Sequence, residues 1–272
     1  MKLLNGKELA EFIAERQARE VRGLRQAYSI APKLAIIVTV DNPVIDVYMR
    51  LKQRYGADLS VDVDVHRIDL ADAPATIQSL NDNESVHGII VQLPLSDPAK
   101  TEEIVGLVAP EKDVDGLGPD TVFDPATPMS IMWLLAAYNI ELNKGQNVLL
   151  IGRGKLVGAP LERIFKASGV NVSVADRSTE DLAAMTLEAD IIITATGSPA
   201  ILYPDMVKKG AVIVDAGVAS EGGKTVGDVA PELYERDDLI ITPTKGGVGP
   251  LTVCALFENV IRAAKVRAGI GA

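Results

Sequence analysis

Tyr48 and Lys52 stand four residues apart in a segment that reads as helix, so their side chains leave one face together. A lysine there can move protons only if a partly dry setting brings its pKa toward neutrality. By itself the spacing also suits an ordinary helix with a packed tyrosine and a solvated lysine. In Gly88-Ile-Ile-Val-Gln92-Leu-Pro-Leu95 an amide ends a buried strand, where parallel sheets present ligand contacts. Lys112-Asp-Val-Asp115-Gly116 carries two carboxylates whose oxygens accept hydrogen bonds, although Asp-Gly is also a common turn.

A second set of residues points to phosphate. The strand at 147–151 runs into Gly152-Arg153-Gly154-Lys-Leu-Val-Gly158, which opens a helix. Glycines let backbone approach a pyrophosphate, and free N–H groups at a helix start meet its charge. The spacing carries one residue more than the commonest dinucleotide fingerprint. Asp176 follows the next strand, where an acidic side chain commonly bonds a ribose 2′-hydroxyl and so favours NAD. Arg177 and Arg153 suit a 2′-phosphate instead, so these residues argue both ways. Thr242-Pro-Thr-Lys-Gly246-Gly247-Val-Gly249-Pro250 also lies between a strand and a helix. It lacks the Gly-Lys-[Ser/Thr] ending of a P-loop, so it reads as a loop that admits a ligand closely rather than as a triphosphatase element.

These segments must be positioned by a scaffold, and the chain has the composition for one. Its 272 residues suffice for about two domains. Hydrophobic residues at 47% and charged residues at 24% exclude a disordered or fibrous chain. The net charge of -10 offers no basic field for nucleic acid. Cys254 is the single cysteine, which excludes an internal disulfide and a Cys-clustered metal site and suits a reducing cytoplasm. His66 and His87 are too few and too far apart for a histidine metal centre and read as structural. No signal peptide or membrane span is expected, hence no membrane partner.

Strand and helix patterns alternate: a helix over 5–28, strands at 33–40, 59–66 and 88–92, and helices near 73–80 and 100–108. A loop rich in Pro, Asp and Gly at 109–128 reads as the domain seam, followed by a helix over 129–138. Strands at 147–151, 170–175, 190–194, 211–215 and 239–242 suggest a Rossmann-type sheet, and 251–268 reads as a terminal helix. The fold class is therefore α/β in two domains: an N-terminal α/β substrate domain over 1–120 and a Rossmann-type dinucleotide-binding domain over 121–249. The helix from 250 is expected to return to the first.

Together, and in this order, Tyr48-x-x-x-Lys52, Val91-Gln-Leu-Pro-Leu95, Lys112-Asp-Val-Asp-Gly116, Gly152-Arg-x-x-x-Val-Gly158, Val226-Gly-Asp-Val229 and Gly246-Gly-Val-Gly-Pro250 resemble the bifunctional methylenetetrahydrofolate dehydrogenase/methenyltetrahydrofolate cyclohydrolase (FolD) family. The resemblance implies two domains facing each other across a cleft, a homodimer, and tetrahydrofolate derivatives as substrates. It implies oxidation of 5,10-methylenetetrahydrofolate with NADP+, NAD+ staying open, and then hydrolysis to 10-formyltetrahydrofolate. Lys52 matches the general acid/base, Gln92 orients it, Tyr48 packs on the substrate ring, and Asp115 binds the pterin. Gly246, Gly247, Gly249 and Pro250 are the implied substrate loop. Gly152, Arg153, Gly154, Gly158, Asp176, Arg177 and Val218 are the implied cofactor contacts, and no metal is implied.

Four positions depart from that pattern. Gly154 stands where serine is usual, Asp176 near a usual histidine, Lys245 for proline, and Ala126 for cysteine. A two-domain amino- or hydroxy-acid dehydrogenase would explain the glycine loop but not Gln92 and Asp115. A folate or dinucleotide sensor without catalysis is opposed by the presence of Tyr48, Lys52 and Gln92.

Overall fold

The computed structural model describes residues 1–142, 145–221 and 224–270. In chain order the elements are β1 (Lys2–Leu3), α1 (Gly6–Tyr28), β2 (Lys33–Val38), α2 (Pro43–Leu59), β3 (Asp62–Arg67), α3 (Ala73–Asp82), β4 (Gly88–Val91), α4 (Thr101–Val105) and α5 (Ala126–Ala137). There follow β5 (Val148–Ile151), α6 (Gly158–Ala167), β6 (Val172–Ala175), α7 (Leu182–Glu188), β7 (Ile191–Thr194), β8 (Val212–Asp215), β9 (Ala219–Glu221), β10 (Lys224–Val226), β11 (Ile240–Ile241) and α8 (Gly249–Arg267).

One unit, Glu11–Ala126 with the chain from Val253 onward, holds the parallel sheet β3-β2-β4. Side chains of a strand alternate between its faces. Leu34, Ile36 and Val38 of β2 therefore pack with Val21 and Leu24 of α1, Ile45 and Met49 of α2, and Phe257, Val260 and Ile261 of α8. Ala35 and Ile37 face the other way, onto Ile77 and Leu80 of α3 and Ile104 and Val105 of α4. Burial on both faces explains why β2 reads as an unbroken apolar run.

The other unit, Met1–Ala10 with Thr127–Thr252, holds a six-stranded sheet ordered β1-β11-β8-β7-β5-β6 and the hairpin β9-β10. The sheet's strands are parallel. After β6 the chain crosses β5 to form β7, which puts the topological switch point between β5 and β7, where such sheets bind ligands. The division at Ala126/Thr127 falls inside the expected seam of 109–128, whereas residues 1–10, expected with the first domain, cluster with the six-stranded unit. Those ten residues belong with the six-stranded sheet, because β1 pairs with β11 and Tyr138 Oη accepts from Asn5 N at 2.8 Å. β1, β9 and β10 are too short to show a pattern of their own. β3 starts at Asp62 rather than 59, because α2 runs on to Leu59 and the chain then turns at Ser60 with φ +63°.

The Lys112–Gly116 turn is tied to the three-stranded unit at several points. Buried Lys112 donates from Nζ to the carbonyls of Leu80 (2.9 Å), Asn81 (2.6 Å) and Asn83 (2.9 Å), which satisfies the end of α3. Ile89 N donates to Lys112 O at 2.7 Å, and Asn259 Nδ2 donates to the carbonyls of Val114 and Asp124, each at 2.9 Å. Gly88 admits no side chain, since a Cβ there would meet both Val114 methyls within 2.9 Å. His87, also buried, accepts at Nδ1 from Lys33 N, and burial, with Arg267 and Lys112 nearby, pushes its pKa down to about 4.

Two outcomes are expected. Lys112→Met strands three carbonyls and lowers unfolding free energy by about 3 kcal/mol in urea titrations; an unchanged midpoint would remove Lys112 as the tether. His87 is neutral when folded, so its contribution is full above the unfolded pKa near 6.5 and is lost as pH falls toward 4, about 3 kcal/mol at most. The loss of stability between pH 7 and 4.5 is therefore smaller in His87→Asn than in wild type, and equal pH slopes would contradict this.

Candidate active site

Along α2, Ile45, Met49, Lys52 and Gly56 recur at spacings of four, three and four, which is the apolar stripe of an amphipathic helix. Ile45, Met49 and Gly56 are buried. Lys52 occupies the same stripe, so its stem is drawn from water and its ammonium is left to find a partner. That partner is Gln92, directly after β4: Lys52 Nζ donates to Gln92 Oε1 at 2.8 Å, and Gln92 Nε2 donates to Leu93 O at 2.9 Å. The amide is thus held at both ends and receives the amine without contributing a charge.

Burial lowers the Lys52 pKa, and the Asp115 carboxylate opposes that fall. Burial likewise raises the Asp115 pKa, against the pull of Lys52 and with the help of Asp113. Both shifts favour the uncharged forms, the state in which a proton moves at little electrostatic cost. The turn described above fixes Asp115, and Asp113 Oδ2 braces it by accepting from Gly118 N at 2.7 Å. Tyr48, one turn before Lys52, is 45% exposed, an open aromatic surface beside the amine. Lys52, Gln92 and Asp115 therefore come together within the three-stranded unit, with Tyr48 at their margin. Lys112 and Asn259 hold this arrangement; a charged residue in the turn was visible in the sequence, whereas nothing about Asn259 in a terminal helix signalled its part.

In the six-stranded unit the glycine loop divides by cause. Gly152 has φ +102°, and a Cβ on it would lie 2.6 Å from Ala195 O; one on Gly158 would lie 2.0 Å from Gly152 O. Both glycines are dictated by the strand-to-helix turn. Gly154 has nothing within 4 Å of its Cβ position, so the backbone there is open to a ligand and a serine would also fit. This open backbone at the start of α6, beside the switch point, fits a dinucleotide pyrophosphate.

The charged residues around it are not all free. Arg153 Nε donates to Glu162 Oε2 at 2.8 Å, and Glu162 also takes Lys166 Nζ at 2.5 Å. Lys166 and then Arg153 hold the Glu162 carboxyl below its usual range. Glu162, the fifth residue of α6, was not singled out in the sequence; its i,i+4 lysine was the available signal. Asp176 Oδ1 accepts from Ser178 N (2.9 Å) and Ser178 Oγ (2.6 Å), which keeps it anionic. Arg177 is exposed, as is Val218 at 61%.

The glycines of the loop before α8 also belong to this unit, and the structure gives Gly246 a conformational reason and Gly247 a packing one. Gly246, at φ +87°, accepts at its carbonyl from Gly6 N at 2.8 Å, and a Cβ on Gly6 would lie 1.9 Å from Gly247 O. Thr242 closes on Gly247 from the other side, while Gly249 faces open space. Pro250 follows at the start of α8. Among the described residues no group of three or more His, Cys, Asp or Glu side chains is arranged to hold a metal ion, and no helix is long and apolar enough to cross a membrane.

Comparison with known proteins bears on the whole chain. Residues 4–115 match the family model for the tetrahydrofolate dehydrogenase/cyclohydrolase catalytic domain, and residues 125–268 match that for its NAD(P)-binding domain. The bifunctional protein FolD of Nitratiruptor sp. is 37% identical, covering 98% of this chain and 99% of the relative. The crystal structure of the bifunctional FolD methylenetetrahydrofolate dehydrogenase/cyclohydrolase from Campylobacter jejuni is 36% identical and superposes with a TM-score of 0.93, over 98% of this chain and 99% of that one. The Trypanosoma brucei enzyme, solved with NADP cofactor and an inhibitor, is 27% identical with a TM-score of 0.90, over 97% of each chain. With both domain models matched in order and its length shared with these relatives, the chain belongs to the tetrahydrofolate dehydrogenase/cyclohydrolase family.

Proposed function

We propose that the chain is a bifunctional enzyme of one-carbon metabolism that oxidises 5,10-methylenetetrahydrofolate to 5,10-methenyltetrahydrofolate and hydrolyses the product to 10-formyltetrahydrofolate. The observation that carries this reading is the 2.8 Å contact between a desolvated lysine and the neutral amide at a strand end, in a chain of this family. NADP+, when bound, accepts the hydride that the methylene carbon loses; the loop at Gly152–Gly158 and the open backbone at Gly154 would hold its pyrophosphate. Arg177, exposed beside Asp176, is the cation assigned to a 2′-phosphate, whereas anionic Asp176 suits the 2′-hydroxyl of NAD+, so NAD+ is the alternative cofactor.

In the hydrolytic step water adds to the methenyl carbon. Lys52 Nζ, whose hold on a proton burial weakens, takes in its uncharged form the first proton that the water oxygen loses and passes it to the nitrogen released as the C–N bond opens; the hydroxyl proton of the adduct leaves to solvent as the formyl C=O forms, so one proton is released overall. Gln92 aims the amine through its Oε1. Asp115 accepts from N–H groups of the pterin, and its charge restrains the fall in the lysine pKa. Tyr48 offers its exposed ring to the substrate. By the family resemblance Gly246, Gly247, Gly249 and Pro250 form a substrate loop. A homodimer and a cytoplasmic setting belong to the same reading, the first from the family resemblance, the second from the lone buried Cys254.

Lys52→Met is expected to lower cyclohydrolase turnover by about 10²-fold or more, because the assigned proton carrier is lost, while NADP+ affinity is kept. Wild-type decay of the methenyl absorbance in that variant would overturn the role. Arg177→Ala is expected to weaken NADP+ about tenfold and NAD+ little, read by titration calorimetry. Equal losses for the two dinucleotides would remove Arg177 from phosphate recognition.

A further inference from the structure

Asp215 ends β8 and Asp228 follows β10 by two residues, so the two aspartates close the base of the β9-β10 hairpin. Neither is used in the chemistry above. Asp215 Oδ1 accepts from Thr194 Oγ1 (3.1 Å), Gly217 N (2.9 Å) and Asp228 N (3.1 Å), and its Oδ2 from Val229 N (3.1 Å). Asp228, wholly buried, accepts at Oδ2 from Thr196 N at 2.7 Å. Its Oδ1 is buried with no hydrogen-bond partner.

The two loops interlock through these carboxylates. A Cβ on Gly217 would lie 2.0 Å from Asp228 Oδ1, and one on Gly227 would lie 2.0 Å from Asp215 Oδ2. Each loop therefore carries a glycine because the other's carboxylate lies against its backbone. The segment held by Asp228 walls the glycine loop, since a Cβ on Gly152 would meet Ala195 O at 2.6 Å and Thr196 Cγ2 at 3.0 Å. The segment held by Asp215 leads to Val218, whose carbonyl would lie 3.3 Å from a Cβ on Gly197. Burial raises the Asp228 pKa, and hydrogen bonds from Thr196 and Ser198 oppose that rise, so the carboxylate is engaged by the same 195–198 turn that walls Gly152.

We propose that Asp215 and Asp228 are positioning residues for the dinucleotide: as an interlocked pair they set the 195–198 turn against Gly152 and the 216–218 backbone against that turn. The inference rests on the dinucleotide-binding reading above. It differs from a merely structural role in that its loss falls on one ligand.

NADP+ and NAD+ are titrated into wild type, Asp228→Ala and Asp228→Asn by calorimetry, and both activities are measured on the full-length protein. Asp228→Ala is expected to raise both dissociation constants and the KM for NADP+ about tenfold, with dehydrogenase kcat changed less than about threefold and turnover of supplied methenyltetrahydrofolate within about twofold. Asp228→Asn keeps an acceptor for Thr196 N and stays within about threefold of wild type in affinity. Unchanged affinity in Asp228→Ala, or an equal loss of both activities, overturns the proposal. Should Asp228→Ala fail to fold, Gly227→Ala replaces it: its Cβ displaces the Asp215 carboxylate, the same selective weakening is expected, and wild-type affinity overturns the proposal. A wild-type chain that binds neither dinucleotide would instead remove the functional reading, and the proposal with it.

Discussion

A lysine on the apolar stripe of α2 is the constraint that organises the three-stranded unit. It shares that stripe with buried Ile45 and Met49 and is itself half-buried, so its ammonium is partly withdrawn from water and meets polar groups at the sheet. The carboxyl end of β4 supplies a neutral amide, and the turn after residue 111 supplies a carboxylate that is itself reluctant to ionise. An ordinary surface ion pair would keep both groups charged at neutral pH and would hold the proton rather than pass it. Burial of both groups, with an uncharged mediator at 2.8 Å, brings the two protonation states closer in energy.

That balance depends on geometry being held by residues that take no part in proton transfer. Lys112 spends its charge on three carbonyls at the end of α3, and Asn259 reaches from α8 to two carbonyls of the same loop region. Two lysines of one unit thus meet opposite fates. Lys112 is surrounded by full acceptors and is structural, whereas Lys52 has one neutral acceptor and an environment that weakens its hold on the proton.

The six-stranded unit solves a different problem, the approach of a large anion to backbone. Glycines at 152 and 158 are enforced by contacts within the chain, and the one at 154 is not, which leaves an open strip at the helix start. Around it the cations are partly neutralised: Glu162 takes Arg153 and Lys166, and Asp176 stands beside Arg177. Carboxylates just after or at the end of strands recur here, and at Asp215 and Asp228 they are hydrogen-bonded or buried rather than presented to solvent.

The sequence by itself determined the α/β class, most of the strands, the chemistry-bearing residues and, through their ordered motifs, the family. These are legible because burial on both faces of β2 and β5 leaves uninterrupted apolar runs, and because glycine is forced where a strand turns sharply into a helix. It left undecided whether Lys52 was a solvated charge, and whether Gly246 and Gly247 were small for a ligand or for packing. It gave no sign that the first residues pair with the six-stranded sheet. Those points rest on contacts between residues far apart in the chain: Gln92 on Lys52, Gly6 on Gly247, β11 on β1, and Asn259 on Val114. Local pattern reports how a segment meets water; only the tertiary structure decides which distant group replaces that water, and so which charges survive.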